Sequence, residues 1–285
     1  MTPQPILPQP MLICSSHTIS GVMPGSTPAA RHSFEARVQA CAKAGYRGMC
    51  LHYRDYEAQI ASGATDAQLQ GSLAEAGIAQ VELEFLSDWF LRGDAASEEN
   101  EAKFWGAAKG FGARSLNLGG DFLGRGIPWP QMRARFAEFC TRAADKDLKV
   151  ALEFVPFSNI AAIDQAMDLV ELAPNAGLVV DSWHTFRGGI SLAEIANLPA
   201  QRVLCVQIND AKPVPEGPLA QETLNRLPCG AGGFDLIGFL RAIKATGTPA
   251  GISVEIISPA FAAMDVETAA ECSIEGARAL FAALS

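Results

Sequence analysis

Four short polar residues each close an apolar run: Glu153 in VALEFVP, Asp181 in GLVVDSWH, Gln207 in VLCVQIND and Glu255 in ISVEIIS. A carboxylate at the carboxyl end of a buried parallel strand has no place in an apolar core, where an unpaired charge is costly. Four such groups converging on one mouth would make a metal site. Three carboxylates and an amide carbonyl form an all-oxygen set. That set suits a hard divalent ion, Mn²⁺ or Mg²⁺, better than Zn²⁺ or Cu²⁺, which favour imidazole and thiolate. One divalent ion with Glu153, Asp181, Gln207 and Glu255 as its ligands is therefore expected. The bland alternative is four unrelated polar residues satisfied by loop amides, and the repetition on four consecutive apolar runs argues against it.

The elements that would carry these residues alternate regularly. Apolar runs of strand length occur at 11–16, 47–52, 80–86, 114–119, 150–155, 177–181, 203–209 and 251–257. Segments with helical spacing lie between them, at 31–46, 66–78, 98–112, 129–147, 159–173, 191–198, 234–247 and 266–284. Helix-stop glycines precede the next strand at Gly45 and Gly77. Eight strand-helix units predict an α/β fold, a (β/α)8 TIM barrel, in which strand carboxyl ends hold the chemistry. The expected organisation is a flexible Pro-rich lead-in over 1–10 and a single barrel domain over 11–285, with no inserted domain.

Composition narrows the partners. Of the 285 residues, 49% are hydrophobic and 19% charged, as in a globular α/β domain with one large core. The formal net charge is −9 and no basic cluster interrupts it, so a nucleic-acid partner is not expected. No window reaches the length of a membrane span, and the amino terminus lacks the pattern of a signal peptide. A cytoplasmic protein with no membrane partner is expected. The seven cysteines are odd in number and scattered, with no CxxC pair, which fits reduced thiols. The Gly-rich stretch 229–233 lacks the Lys-Ser/Thr of a phosphate-binding loop.

Four motifs taken together carry a resemblance: LEF at 152–154, DSWH at 181–184, VQIND at 206–210 and RLPCGAGGFD at 226–235. Their order, from Glu through Asp-x-x-His, a strand-seven ligand followed by Asp and Arg-x-x-x-Gly-x-Gly-x-x-Asp to a final Glu, resembles the xylose-isomerase-like barrel superfamily. The match is close over strands five to eight and rests on rhythm alone over the first half. That superfamily holds sugar isomerases and epimerases, hydroxypyruvate isomerase, inosose dehydratase and 3-dehydroshikimate dehydratase. Gln207 stands where most epimerase-type members have His; a Gln there is similar to hydroxypyruvate isomerase and some 3-dehydroshikimate dehydratases, and DSWH resembles the dehydratases. A metal-assisted DNA-repair nuclease shares the superfamily, but four His in total and the acidic charge speak against that class. A non-catalytic barrel is the third class, and it has no physical reason to keep buried carboxylates.

The expected chemistry is proton transfer through a metal-stabilised enediolate on a keto-sugar or related polyhydroxylated carbonyl compound. Glu153 and Glu255 are the expected acid/base pair. Proton return to the other carbon isomerises, return to the other face epimerises, and loss of a β-hydroxyl dehydrates. An isomerase or epimerase is the first expectation, and a dehydratase of the 3-dehydroshikimate or inosose type is the alternative. His184 is expected to reach a substrate hydroxyl or serve as an acid. Arg226 would grip a carboxylate or phosphate, with Arg187 competing for that role, unless either is a solvated surface side chain. His52 and Glu84 at the ends of strands two and three, and His17 after strand one, complete the substrate-binding candidates. Which face of strand three looks inward is open: Glu82 and Glu84 share one face, Val81, Leu83 and Phe85 the other. Trp89, Phe90, Trp105 and Trp183 are candidates to wall off the mouth, although Trp105 and Phe111 are more simply read as helix packing. Short loops after most strands predict that a second copy completes the mouth, as a homodimer or homotetramer.

Overall fold

The computed structural model describes residues 10–284, and except for Pro10 the predicted lead-in lies outside them. Eight parallel strands close into a barrel in sequential order: β1 (Leu12–Cys14), β2 (Gly48–His52), β3 (Gln80–Leu86), β4 (Ser115–Leu118), β5 (Lys149–Glu153), β6 (Ala176–Asp181), β7 (Val203–Ile208) and β8 (Ile252–Val254). The ring is completed by β8 pairing with β1, in register Leu12 with Ile252 through Cys14 with Val254. Among the described residues no helix is long and apolar enough to cross a membrane.

The predicted helices form where their signals lie. Phe34–Ala44 starts at Ser33, whose side chain accepts from the Ala36 amide, and stops at Gly45 with φ 104°. That left-handed φ is one only glycine adopts without strain. Asp66–Glu75 opens on a reciprocal box between Thr65 and Gln68, and Gly77 follows it at φ 73°. Long helices at Ala95–Phe111, Trp129–Ala144, Leu236–Thr246 and Val266–Leu284 complete most of the outer layer.

Side-chain alternation along the strands separates two environments. Outward residues such as Met49, Leu51, Leu83, Leu116, Val150 and Val206 join Phe104, Phe136, Leu169 and Phe239 of the helices in the main apolar core. Inside the barrel, apolar packing shrinks to a small separate cluster of Ala151, Val179, Leu204 and Cys205. Ile13 of β1 lies inside as well, against Gly48 and Gly251, and polar side chains fill much of the remaining lumen. Asn117 of β4 touches Cys50 of β2 (3.7 Å) and Cys205 of β7 (3.6 Å), contacts that cross the lumen because these strands are not neighbours. Glu84 accepts from the Cys50 thiol at 3.0 Å, which settles the open question about β3: its acidic face looks inward. The seven cysteines are all free, and six are buried.

Of the aromatic residues expected to wall the mouth, only Trp183 does so. Trp89 and Phe90 pack edge-on against each other, with Phe136 behind Trp89, and the Trp89 indole donates to the Gly119 carbonyl at 2.7 Å. Trp105 stacks on Phe139 between two outer helices. Trp105 thus joins two helices, whereas Trp89 and Phe90, buried in the loop after β3, pack that loop onto the helix Trp129–Ala144.

Candidate functional site

The mouth is built by extending the inward alternation one step beyond the polar lumen. Two residues after Cys50 comes His52, after Glu82 comes Glu84, after Ala151 Glu153, after Val179 Asp181, after Cys205 Gln207 and after Ser253 Glu255. His52 pairs in register with Glu84, and Asp181 with Gln207. Asp181 has a second task. As the residue before the helix Ser182–Arg187, it accepts the His184 amide at 3.0 Å, and so the Asp-x-x-His spacing turns His184 back toward its own carboxylate.

At the centre lie three carboxylates, one amide, one imidazole and one guanidinium, all buried. Arg226 Nη1 bridges Asp181 Oδ2 (2.9 Å) and Glu255 Oε2 (2.7 Å). Its Nη2 donates to Thr223 Oγ1 (3.1 Å) and lies 3.4 Å from His184 Nε2, while the guanidinium sits over the Trp183 ring. Glu255 Oε1 accepts from Ser15 Oγ (3.0 Å) and from Gln207 Nε2 (3.3 Å). Asn209 Nδ2 donates to Asp181 Oδ2 at 3.0 Å. Ser15 and Asn209 were missed in the sequence. Asn209 lies inside the VQIND run and could have been found by its place after β7, whereas Ser15 carries no local signal.

Burial outweighs attraction for several of these groups. The Glu255 carboxyl is pushed up to about 7, chiefly by burial and then by Glu153 and Asp181, against the pull of Arg226. Glu84 is pushed up to about 8 by burial and by the nearby Glu255 charge. His17 and His52 go the other way, to about 4 and about 3, as burial disfavours their cations; the Arg226 charge adds to this for His17, and His17 and Arg54 add to it for His52. The two imidazoles lie edge-on, 6.4 Å apart. They are therefore neutral hydrogen-bonding groups near neutral pH, on the side of the mouth where Glu84 stands.

The donor set fits a divalent cation. Glu153 Oε1, Gln207 Oε1 and His184 Nδ1 are buried without a hydrogen-bond partner, which is costly unless something else satisfies them. One ligand atom each from Glu153, Asp181 and His184 lie within 4.8 Å of one another, and Glu153 Oε1 is 3.3 Å from His184 Nε2. Gln207 and Glu255 join this group through their mutual hydrogen bond and through Arg226. If all three carboxylates are ionised, one guanidinium leaves two negative charges unbalanced.

Of the sequence candidates, Glu153, Asp181, His184, Gln207, Arg226 and Glu255 come together, and His17, His52 and Glu84 stand beside them. Arg187 does not join them. Its Nε donates to both oxygens of Glu222 (3.1 and 2.9 Å), its Nη2 to the Lys212 carbonyl (2.7 Å), and it lies over the Phe234 ring. Phe157 packs edge-on against Trp183 and at 6.4 Å from His184, with Phe122 behind it. This aromatic rim had no periodic signal in the sequence.

A family model described as a xylose isomerase-like TIM barrel matches residues 38–280. The chain is similar to a 3-dehydroshikimate dehydratase of Pseudomonas aeruginosa, 32% identical over 167 residues, which is 58% of this chain and 25% of that protein. It is also similar to an inosose isomerase of Bacillus subtilis, 31% identical over 126 residues, covering 43% of this chain and 45% of that one. The chain thus spans a quarter to under half the length of these curated relatives in the matched regions. Among solved structures, one described as the IOLI protein with a binding zinc atom superposes with a TM-score of 0.82 at 19% identity, over 96% of this chain and 99% of that one. An L-ribulose 3-epimerase gives a TM-score of 0.72 at 16% identity, over 97% and 96%. At these identities the superpositions speak for the fold.

Proposed function

The chain belongs to the xylose isomerase-like TIM-barrel family, and on that premise we propose that it is a divalent-metal-dependent isomerase or epimerase of a keto-sugar or related polyhydroxylated carbonyl compound. The observation that carries this reading is the buried ring of Glu153, Asp181, Gln207 and Glu255 with orphaned oxygens on Glu153 and Gln207. With its carboxylates ionised, the ring and Arg226 together lack two positive charges, which a Mn²⁺ or Mg²⁺ ion would supply. Glu153, Asp181, Gln207 and Glu255 would hold the ion, with His184 Nε2 next to it.

The chemistry such an ion supplies when bound is Lewis-acid polarisation of a carbonyl and its neighbouring hydroxyl. The protein's own residues do the rest. One of Glu153 and Glu255 accepts the proton from the carbon beside the carbonyl at a carboxylate oxygen, and the other delivers a proton at the new position or on the opposite face. His184 orients a substrate hydroxyl, neutral His17 and His52 offer further hydrogen bonds, and the Phe157–Trp183 rim excludes water.

A dehydratase is the second reading, supported by Gln207 on β7 and by the similarity to the Pseudomonas dehydratase. One experiment separates the two: proton NMR of metal-loaded enzyme in D₂O with keto-sugars, hydroxypyruvate and 3-dehydroshikimate. Deuterium entering beside the carbonyl without loss of hydroxyl supports the isomerase or epimerase. A new alkene or aromatic signal with loss of water supports the dehydratase. No exchange with any of them would count against both.

A further inference from the structure

We propose that Arg187 and Glu222 are a positioning pair for the metal centre, holding Arg226 and through it Asp181 and Glu255; this rests on the metal-dependent reading above. Arg187 is the last residue of the helix that Asp181 starts. Its guanidinium takes both oxygens of Glu222, is nearly buried, and is pinned further by the Lys212 carbonyl and the Phe234 ring. Glu222 closes the short helix Leu219–Glu222, and the next residue, Thr223, accepts from Arg226 Nη2 at 3.1 Å. The Arg226 amide donates to the Ile257 carbonyl at 2.9 Å, two residues beyond Glu255.

These links form a closed circuit. It runs from Asp181 along the helix Ser182–Arg187 to Arg187, across to Glu222, through Thr223 to Arg226, and back to Asp181 Oδ2. Arg226 Nε has no partner, so its fork is held from Nη1 and Nη2 alone. Loosening the Arg187–Glu222 end frees the Thr223 anchor, and Arg226 can then no longer hold two like-charged carboxylates at one nitrogen. In this arrangement the Nε and Nη2 of Arg187 are spent on Glu222 and the Lys212 carbonyl rather than on a substrate.

The test is calorimetric titration of Mn²⁺ alone into the wild type, Arg187→Met, Glu222→Gln and the double variant, with the Co²⁺ absorption spectrum as a second readout. Each single variant is expected to raise the Mn²⁺ Kd about tenfold, as loss of an outer-shell partner does at other metal sites. The double variant is expected to match the worse single one, because the two side chains act as one unit. The Co²⁺ spectrum should shift, and kcat should fall with KM nearly unchanged. Trp105→Leu, which disturbs only the outer helix layer, serves as a destabilised control and should keep the wild-type Kd. If Arg187→Met does not fold, Arg187→Lys keeps the charge without the fork and should still raise Kd.

Wild-type Kd values in the folded variants would overturn the positioning role while leaving the metal centre standing. An increase in KM alone in Arg187→Met would overturn it in favour of substrate contact. Failure of the wild type to bind Mn²⁺, Mg²⁺ or Zn²⁺ would overturn the metal-dependent reading and this inference with it.

Discussion

Glu255 answers to a hydroxyl, an amide and a guanidinium at once, yet burial still lifts its carboxyl toward neutrality. Replacing it or Glu153 with Gln removes proton-transfer capacity while keeping shape and hydrogen bonding. Each variant is expected to lose at least about a hundredfold in kcat with an unchanged circular dichroism spectrum; near-normal turnover in both would remove them as the acid/base pair. His17 and His52 give a stability signature. The unfolded chain protonates them near the ordinary 6.5, whereas the folded protein resists until about 4 and about 3. Between those values the unfolded state binds more protons, so the histidine contribution to stability falls as pH drops from about 6.5 toward 4. Glu84 and Glu255, raised to about 8 and about 7, act in the opposite sense as pH falls below those values. The histidine part is therefore read by difference: between about pH 7.5 and about pH 5, thermal melts of His17→Asn should shift further in favour of the folded state at the lower pH than those of the wild type. Glu153, Asp181, His184, Gln207 and Glu255 were legible because each lies at or just after a strand end. Arg226's role was not: its partners are 45 and 29 residues away, and no local pattern reveals that a lone Arg will be consumed by them. Ser15, 240 residues from Glu255, was hidden for the same reason.

Elements set limits that single residues do not show. The helix Tyr53–Ala61 has no counterpart among the predicted helices, because it starts directly from β2 with His52 as its cap and leaves no gap in the apolar pattern. It carries Asp55, which takes Arg37 of the helix Phe34–Ala44 in a buried pair at 2.6 Å. Asp55→Ala strands that cation and is expected to cost about 3–5 kcal/mol in urea unfolding; replacing both partners with apolar residues should recover most of it. Most strands were legible to within about two residues, β3 running over Gln80–Leu86 as its apolar pattern predicts, but β1 (Leu12–Cys14) and β8 (Ile252–Val254) are shorter than their apolar runs. Its facing was not, because both alternating faces are rich enough to be buried. The lumen decided it: the face with Glu84 meets Cys50, and the face with Leu83 meets the helices. The short helices Ser16–Ile19, Ser182–Arg187 and Leu219–Glu222 are too brief to show a helical period, yet they deliver His17, His184, Arg187 and Glu222.

At the scale of the molecule, a bound ion stabilises whatever state binds it. If the carboxylate ring holds Mn²⁺, adding the ion at about a hundred times its Kd should stabilise the fold by about 2.7 kcal/mol, and EDTA should reverse the gain. A melt indifferent to Mn²⁺, Mg²⁺ and EDTA would count against the metal centre. The architecture itself was legible from rhythm, since eight strand-helix units admit little besides a closed barrel. Closure also has a temporal side. The seam between β1 and β8 joins residues 12–14 to 252–254, and just past it Glu255 meets Ser15 and the Ile256 amide meets Thr18. A ribosome making this chain therefore releases seven strands before the eighth can seal them. Throughout that interval the growing sheet carries two raw edges, β1 and β7, open to any extended neighbour, and mispairing competes with closure. The same late segment that ends this exposure also brings in the final carboxylate of the ring, so a nascent barrel cannot acquire its chemistry before it has lost its stickiness.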